Sequence, residues 1–519
     1  TLLALAQTSP ALQSLAETQL FKHIHIRDGP SVLRLARHLE QPTERVWAVE
    51  HVEVTPTLHS YMGAGMEMMP EVIRRLERLR SLKVESGMIN AGGTSMLKTP
   101  RRPSWWTDGM MVEWAYMELF KGQGLGCLTS CRLAVYLGLA MLSPISLPAG
   151  STLNSEFNVV TLHSHSTNDR YYNVKHVLPV FVSPTLKYLH LSCVDLSSAT
   201  ATFAALPSEI SSTRTPLETL ILQRCSVPSL HIEELQPILL RPRALRSLTV
   251  LLDDDLRQQG IDAQRVHAQH FIAALQHHSG SLEYLRYMHR PIDAPTRGSP
   301  DHLNPSRLSA LSTLVQSSPG LSTFHRLHTL DIDHRSNLAE YLLDKALAPP
   351  NLRTLGLTGL SYNYESCWQH LPAFVSAILS ATPFSHLRLH TTPSGFDIAN
   401  VSTSFGGRRD WQIINHYPGP IAQLRDALLS LVETLDESNR GTVKFVCSCF
   451  ARQFAGFHPP FLYGQPLPDE AVIFDSGKMW SGEGGVDERF KVEKYISEEG
   501  EVSGWKGPFS ALGNSFWKE

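Results

Sequence analysis

Leu186-Lys187-Tyr188-Leu189-His190-Leu191 and Leu217-Glu218-Thr219-Leu220-Ile221-Leu222-Gln223-Arg224-Cys225 share one pattern. Both read L-x-x-L-x-L, and the second continues to L-x-x-L-x-L-x-x-C. The last two leucines of each copy alternate with other residues. Period 2 is the spacing of a strand with one buried face. Between the copies lie turn residues and an apolar stretch with helical potential. The unit is therefore a strand plus a connector, and it recurs.

Further copies stand at Val49-Glu50-His51-Val52-Glu53-Val54, Leu79 to Val84, Leu128 to Leu133 (with Cys131 at a leucine position), Leu245 to Val250, Leu282 to Tyr287, Leu327 to Ile332, Leu352 to Leu357 and Phe384 to Leu389. Val443 to Val446 reads as a last strand. A strand and a helical connector repeated along a chain is the signature of a leucine-rich-repeat solenoid. Intervals here run from 25 to 58 residues, so the repeats are long and irregular. The fold class expected is α/β: a horseshoe with one mostly parallel sheet and helices on its other face. Three regions follow: a helical segment at 1–26, the solenoid at 27–395, and a C-terminal repeat or cap with an acidic, Gly-rich tail at 396–519. Segments 86–110, 143–173 and 290–306 are rich in Gly, Ser, Pro, Asn or His and read as surface loops. Apolar stripes at helical spacing fall between strands: Val32 and Leu35; Val72, Ile73, Leu76 and Leu79; Val266, Phe271, Ile272 and Leu275; Leu308, Leu311, Leu314 and Val315; Phe374, Ile378 and Leu379; Ile421, Leu424, Leu428, Leu431 and Leu435.

Composition excludes several classes. Apolar residues make up 42% and charged residues 18% of 519, which is a globular balance. A formal net charge of −3 gives no global field to draw nucleic acid or an anionic membrane. No apolar run reaches the eighteen residues of a membrane span. The leading Thr1-Leu2-Leu3-Ala4-Leu5-Ala6 has no basic flank and is broken by Gln7, so it is a poor secretion signal. The chain begins with Thr, which implies residues upstream. Seven cysteines, with Cys131 and Cys225 at core positions, read as buried thiols in a reducing compartment, cytoplasmic or nuclear.

No catalytic set emerges. Ser476-Gly477-Lys478 lacks the rest of a P-loop, and Gly122-Gln123-Gly124-Leu125-Gly126 is short of a dinucleotide fingerprint. Cys447-Ser448-Cys449 has no second pair for a metal. His267, His270, His277 and His278 lack a carboxylate at metal spacing and read as solvated surface groups. Asp253-Asp254-Asp255 lacks the glycine turn and distal glutamate of a calcium loop. The expectation is no enzyme, no cofactor and no metal. What remains is surface. The residues flanking the second leucine point away from the core. The candidate substrate-binding residues on this concave face are Tyr188, His190, Ile221, Tyr284, Arg286, Asp331 and Arg388; tyrosine and arginine are the types that carry interfaces.

The first residues add a partner. Leu3, Leu5, Leu12, Leu15, Ala16, Leu20, Phe21, Ile24 and Ile26 follow a spacing that resembles the C-terminal half of an F-box, in the style of fungal F-box proteins with leucine-rich repeats. Leu12 stands where that family often has tryptophan or phenylalanine, and the L-P-x-E helix that opens the motif is absent ahead of Leu3. The resemblance covers about 25 residues. It implies that Leu3, Leu5, Leu12, Leu15, Leu20 and Phe21 dock a Skp-type adaptor linked to a cullin. The repeats would then hold a protein substrate for ubiquitin transfer, with no nucleic acid or membrane involved. A helical cap on a non-catalytic repeat scaffold accounts for the same residues without a ligase role.

Overall fold

The computed structural model describes residues 4–5, 7–40, 47–56, 64–86, 116–117, 127–135, 157–164, 171–206, 214–225, 232–252, 261–289, 320–334, 336–361, 365–392, 396–402, 409–415, 418–437, 443–450, 470–477 and 493–495. These form a mixed α/β structure around one large, open, mostly parallel sheet of fifteen strands. The strands are β1 (His23–Ile26), β2 (His51–Val54), β3 (Ser81–Glu85), β4 (Ser130–Val135), β5 (Val159–Ser164), β6 (Tyr188–Ser192), β7 (Thr219–Cys225), β8 (Ser247–Leu252), β9 (Tyr284–His289), β10 (Thr329–Asp333), β11 (Thr354–Ser361), β12 (His386–Thr392), β13 (Lys444–Phe450), β14 (Glu470–Asp475) and β15 (Glu493–Tyr495). They lie in the sheet in chain order. Every pairing from β1 to β13 is parallel, and β14 and β15 close the row antiparallel. Two small pairs, Tyr172–Asn173 with Val194–Asp195 and Phe396–Ser402 with Arg409–Asn415, stand outside it.

The register explains the repeat. Leu189, Leu220, Leu248, Leu285, Leu330, Leu355 and Leu387 share one row across the sheet, and the residues two positions on share the next. Both rows are almost wholly buried. Each fully buried Leu or Val contributes about 1.5–3 kcal/mol, so mispairing by one residue would expose the whole set. The first leucine of each pattern lies just ahead of the strand, and Leu186, Leu217 and Leu245 reach the same core from there. Strands therefore begin two residues later than the pattern does.

Helices cover the leucine face. In α1 (Pro10–Phe21), Pro10 starts the helix and the Ser9 side chain accepts from the Leu12 N–H. α2 (Gly29–Glu40) buries Val32, Leu35 and Ala36. α3 (Met69–Arg74) is shorter than its stripe, and Leu76 and Leu79 are buried beyond its end. α4 (Ile261–Leu275) buries Ala268, Phe271, Ile272 and Leu275, whereas Val266, expected on that face, is exposed. α5 (Glu365–Ala381) adds Phe374, Val375 and Ile378; α6 (Pro418–Glu437) adds Leu428, Leu431 and Leu435. All join the cluster built on the strand rows.

Two expectations are corrected, and a third, the last strand at Val443 to Val446, is refined. The span 143–173 is not all loop, because Val159–Ser164 is a full strand between β4 and β6. Phe157, Val160 and Leu162 fill the three apolar positions there and are all buried, which divides the widest interval into two equal ones of 29 residues. His267 and His278 are buried rather than solvated: His267 is hydrogen-bonded to the Tyr287 hydroxyl at 3.1 Å. His278 Nε2 donates to the Leu239 carbonyl at 2.6 Å. In β13, Phe445 and Cys447 are the inward residues and Val446 lies between them. Segments 87–110 and 290–306, the stripe at Leu308 to Val315 and the aspartates 253–255 lie outside the described residues, as does Leu3.

Candidate functional site

The face opposite the helices presents the residues between the leucines, and the register sets their neighbours. One outward row runs Arg132, Thr161, His190, Ile221, Thr249, Arg286, Asp331, Gly356, Arg388, Val446. A second runs Tyr188, Thr219, Ser247, Tyr284, Thr329, Thr354, His386, Lys444. All seven candidate residues of the outward face thus fall in two adjacent rows of one sheet.

They are not equally open. Arg388 is exposed, while Tyr188, Ile221, Tyr284 and Arg286 are partly so. His190 and Asp331 are buried on this face by neighbours that hydrogen-bond them. His190 Nε2 donates to Gln223 Oε1 at 3.0 Å, so the neutral ring carries its proton on Nε2. Burial pushes the His190 pKa down to about 4, partly offset by the Gln223 oxygen. Tyr284 donates its hydroxyl proton to Asp331 Oδ2 at 2.8 Å. Burial and the adjacent Asp331 carboxylate raise the Tyr284 pKa, while Arg286 and Arg388 pull the other way. Both guanidinium groups therefore act on the same hydroxyl. Asp331 Oδ1 and Arg286 Nε are buried with no hydrogen-bond partner.

Gly356 makes this arrangement possible. A Cβ built there would stand 2.0 Å from Asp331 Oδ1. The carboxylate lies over the glycine, in space that any side chain would occupy. This role is not apparent in an L-x-x-L-x-L reading, where Gly356 is simply an outward position. Gln223 was missed for the same reason: its partner His190 is 33 residues away.

The strand-start edge carries charges in alternation. Lys22 and Arg80 flank Glu50 at 3.3 and 3.7 Å. Glu218 and Glu283 flank Arg246 at 4.0 and 3.0 Å, and the Arg246–Glu283 contact is bidentate. These residues occupy one position of successive repeats. The carbonyl of each takes two N–H donors from the next strand, as Glu218 does from Arg246 and Ser247.

At the other end, α1 holds its position through Ala16, which is buried. Leu5, Leu12, Leu15 and Leu20 are exposed, Leu15 to 62%; Phe21 is partly exposed. Of the F-box-like set, the described leucines are thus exposed, with Leu12 and Leu20 one helical turn either side of buried Ala16. No group of three or more His, Cys, Asp or Glu side chains among the described residues is arranged to hold a metal, and no described helix is long and apolar enough to cross a membrane. No protein-family model matches the chain, and no curated protein matches it.

Proposed function

We propose that this chain is a non-enzymatic receptor: a leucine-rich-repeat solenoid of the F-box type whose outward sheet face holds a protein substrate. Its helix α1 would dock a Skp-type adaptor of a cullin-based ubiquitin ligase. The observation that carries this reading is the exposure of Leu12, Leu15 and Leu20 on α1. An amphipathic helix normally turns its leucines to its own core. Here they are left exposed, at positions whose spacing resembles an F-box. The fold part of the reading is supported by thirteen parallel strands in chain order with repeating leucine rows, and the ligase part by the resemblance alone. The receptor would add no chemical group. It would act by proximity, raising the local concentration of substrate lysines at a charged conjugating enzyme.

The test is affinity purification of the full-length protein from its own cells. Skp-type adaptor and cullin should co-purify, and Leu12→Asp with Leu15→Asp should remove them without unfolding the protein, since both side chains are exposed. Removing central apolar anchors typically costs about 2 kcal/mol or more, roughly a thirtyfold loss of affinity. A folded wild-type protein that recovers no adaptor overturns the ligase reading and leaves a repeat scaffold.

A further inference from the structure

Some basic residues of the sheet are paired with glutamate and some are not. Lys22, Arg80 and Arg246 each face a glutamate within 4.0 Å. Arg353, Arg388 and Lys444, together with His386, do not. All four side chains are exposed. His386 lies opposite Lys444, and Arg388 is two residues further along the same strand. The Arg353 carbonyl takes the N–H groups of Ser385 and His386, so Arg353 stands at the head of the neighbouring strand. Adjacent strands are about 4.8 Å apart, which gathers these groups within roughly two strand spacings. Among the described residues none of Arg353, Arg388 and Lys444 has a carboxylate within 4.0 Å.

Among the described residues, Asp331 and Asp475 lie on the same area. Asp331 is buried and bound by Tyr284. Asp475 lies opposite Val446 and accepts the Gly477 N–H. Neither is paired with the basic groups. Like charges on neighbouring strands destabilise a sheet, and at Lys22, Arg80 and Arg246 glutamate relieves that cost. Among the described residues no carboxylate does so for Arg353, Arg388 and Lys444. Between the Asp331 and Arg388 positions the strand residue is Gly356, and the Asp331 carboxylate lies over it.

We infer that this corner of the sheet, over β11 to β13, docks an acidic, extended segment of a protein partner. The inference rests on the reading of the outward face as the substrate-holding surface, not on the adaptor. Nucleic acid is the poorer fit. The patch has few cations, the chain is acidic overall, and among the described residues its exposed side chains include no Phe, Tyr or Trp on which bases would stack.

The experiment is fluorescence anisotropy with the full chain and four probes: a peptide rich in Glu and Ser, the same peptide with phosphoserine in place of Glu, its Lys counterpart, and a single-stranded oligonucleotide. One or both anionic peptides should bind, more weakly as salt rises, and the Lys peptide should not. Which of the two binds better identifies carboxylate or phosphate as the source of the charge. Arg353→Gln with Arg388→Gln and Lys444→Gln should lower affinity about tenfold or more at low salt. Arg388→Lys alone should keep most of it, and Lys345→Gln, an exposed cation off the patch, should change nothing. If the triple variant does not fold, Arg388→Gln alone decides by the same comparison. Absence of binding by both anionic peptides, equal binding by the neutralised variant, or tighter binding of the oligonucleotide overturns the inference. Peptide binding without adaptor recovery removes the ligase reading and leaves this one standing. Adaptor recovery without peptide binding does the reverse.

Discussion

On β7, Leu220 and Leu222 are fully buried, while Thr219 and Ile221 beside them keep part of their surface open. Other strands show the same division, although the outward residues Thr161, His190, Thr249, Asp331 and Gly356 are themselves buried. The inward rows repeat one residue class, and any one of their members resembles the next. The outward rows keep to no one residue class: Ile221, Thr249, Arg286, Asp331, Gly356 and Arg388 are successive neighbours of five different residue types. Burial imposes one physical demand on the inner face, and it is met by an apolar side chain each time, most often leucine. The outer face carries no such common demand, so its identity is decided position by position. Structure can be read from the first face and function only from the second.

The sharpest way to break that division is to cut the inner rows. Leu220→Ala or Leu355→Ala removes a fully buried side chain and should cost about 2–5 kcal/mol. Each repeat leans mainly on its neighbours. Amide hydrogen exchange should therefore show protection lost first in β6 to β8 for Leu220 and in β10 to β12 for Leu355. A uniform loss along the whole chain would contradict the repeat description.

His190 blurs the division, because it is an outward residue that is nonetheless buried. Its folded pKa is about 4 against an ordinary value of 6.5. Between those values the unfolded chain binds a proton that the folded chain does not. Stability should therefore be fully present above pH 6.5 and fall as pH drops toward 4, by roughly 3 kcal/mol for this residue. His190→Gln can still donate to Gln223 but cannot titrate. Urea melts of both proteins across that range should converge at the acid end; parallel profiles would mean that His190 is open to water.

Gly356→Ala sharpens the outer face in particular. The added Cβ would displace the Asp331 carboxylate and with it the Tyr284 hydrogen bond. The cost should be about 1–3 kcal/mol, less than for the buried leucines. Adding Asp331→Ala should recover part of it by removing the obstructing atom. If the double variant is no more stable than Gly356→Ala alone, the glycine serves some purpose other than making room for Asp331.

How much of this was legible follows from the same two faces. Leu189, Leu220, Leu248 and Leu355 were identifiable as core from spacing alone, and the order of their strands was implied. β5 was overlooked because Phe157 and Val160 stand where leucine does in neighbouring repeats. Burial asks only for an apolar side chain of suitable size, and a leucine pattern is stricter than that. Strand starts were misplaced by two residues because Leu186 and Leu217 enter the core from the turn, before the ladder begins. The Tyr284–Asp331 bond joins residues 47 apart across a connector of irregular length. No spacing rule reaches that far, so which outward residues meet had to come from the register. The exposure of Leu12, Leu15 and Leu20 was likewise invisible: the sequence shows that they are leucines, and only packing shows that they are left uncovered.

The smallest expected effect concerns the charges at the strand heads, and it tests whether the outer face contributes to order at all. Arg246 bridges Glu218 and Glu283 across three adjacent strands. The groups are largely exposed, so Coulomb attraction is screened and each pair is worth little. Their alternation can still favour correct neighbours, since a mispaired strand would set like charges side by side. Glu283→Lys does this deliberately, placing a cation beside Arg246. At low salt it should lower the urea midpoint slightly and slow refolding. In about 1 M salt, where the Debye length is near 3 Å, both differences should vanish. A deficit that persists in high salt would mean that Glu283 acts through packing of its side chain, and that the alternation of charge along this edge has no part in ordering the strands.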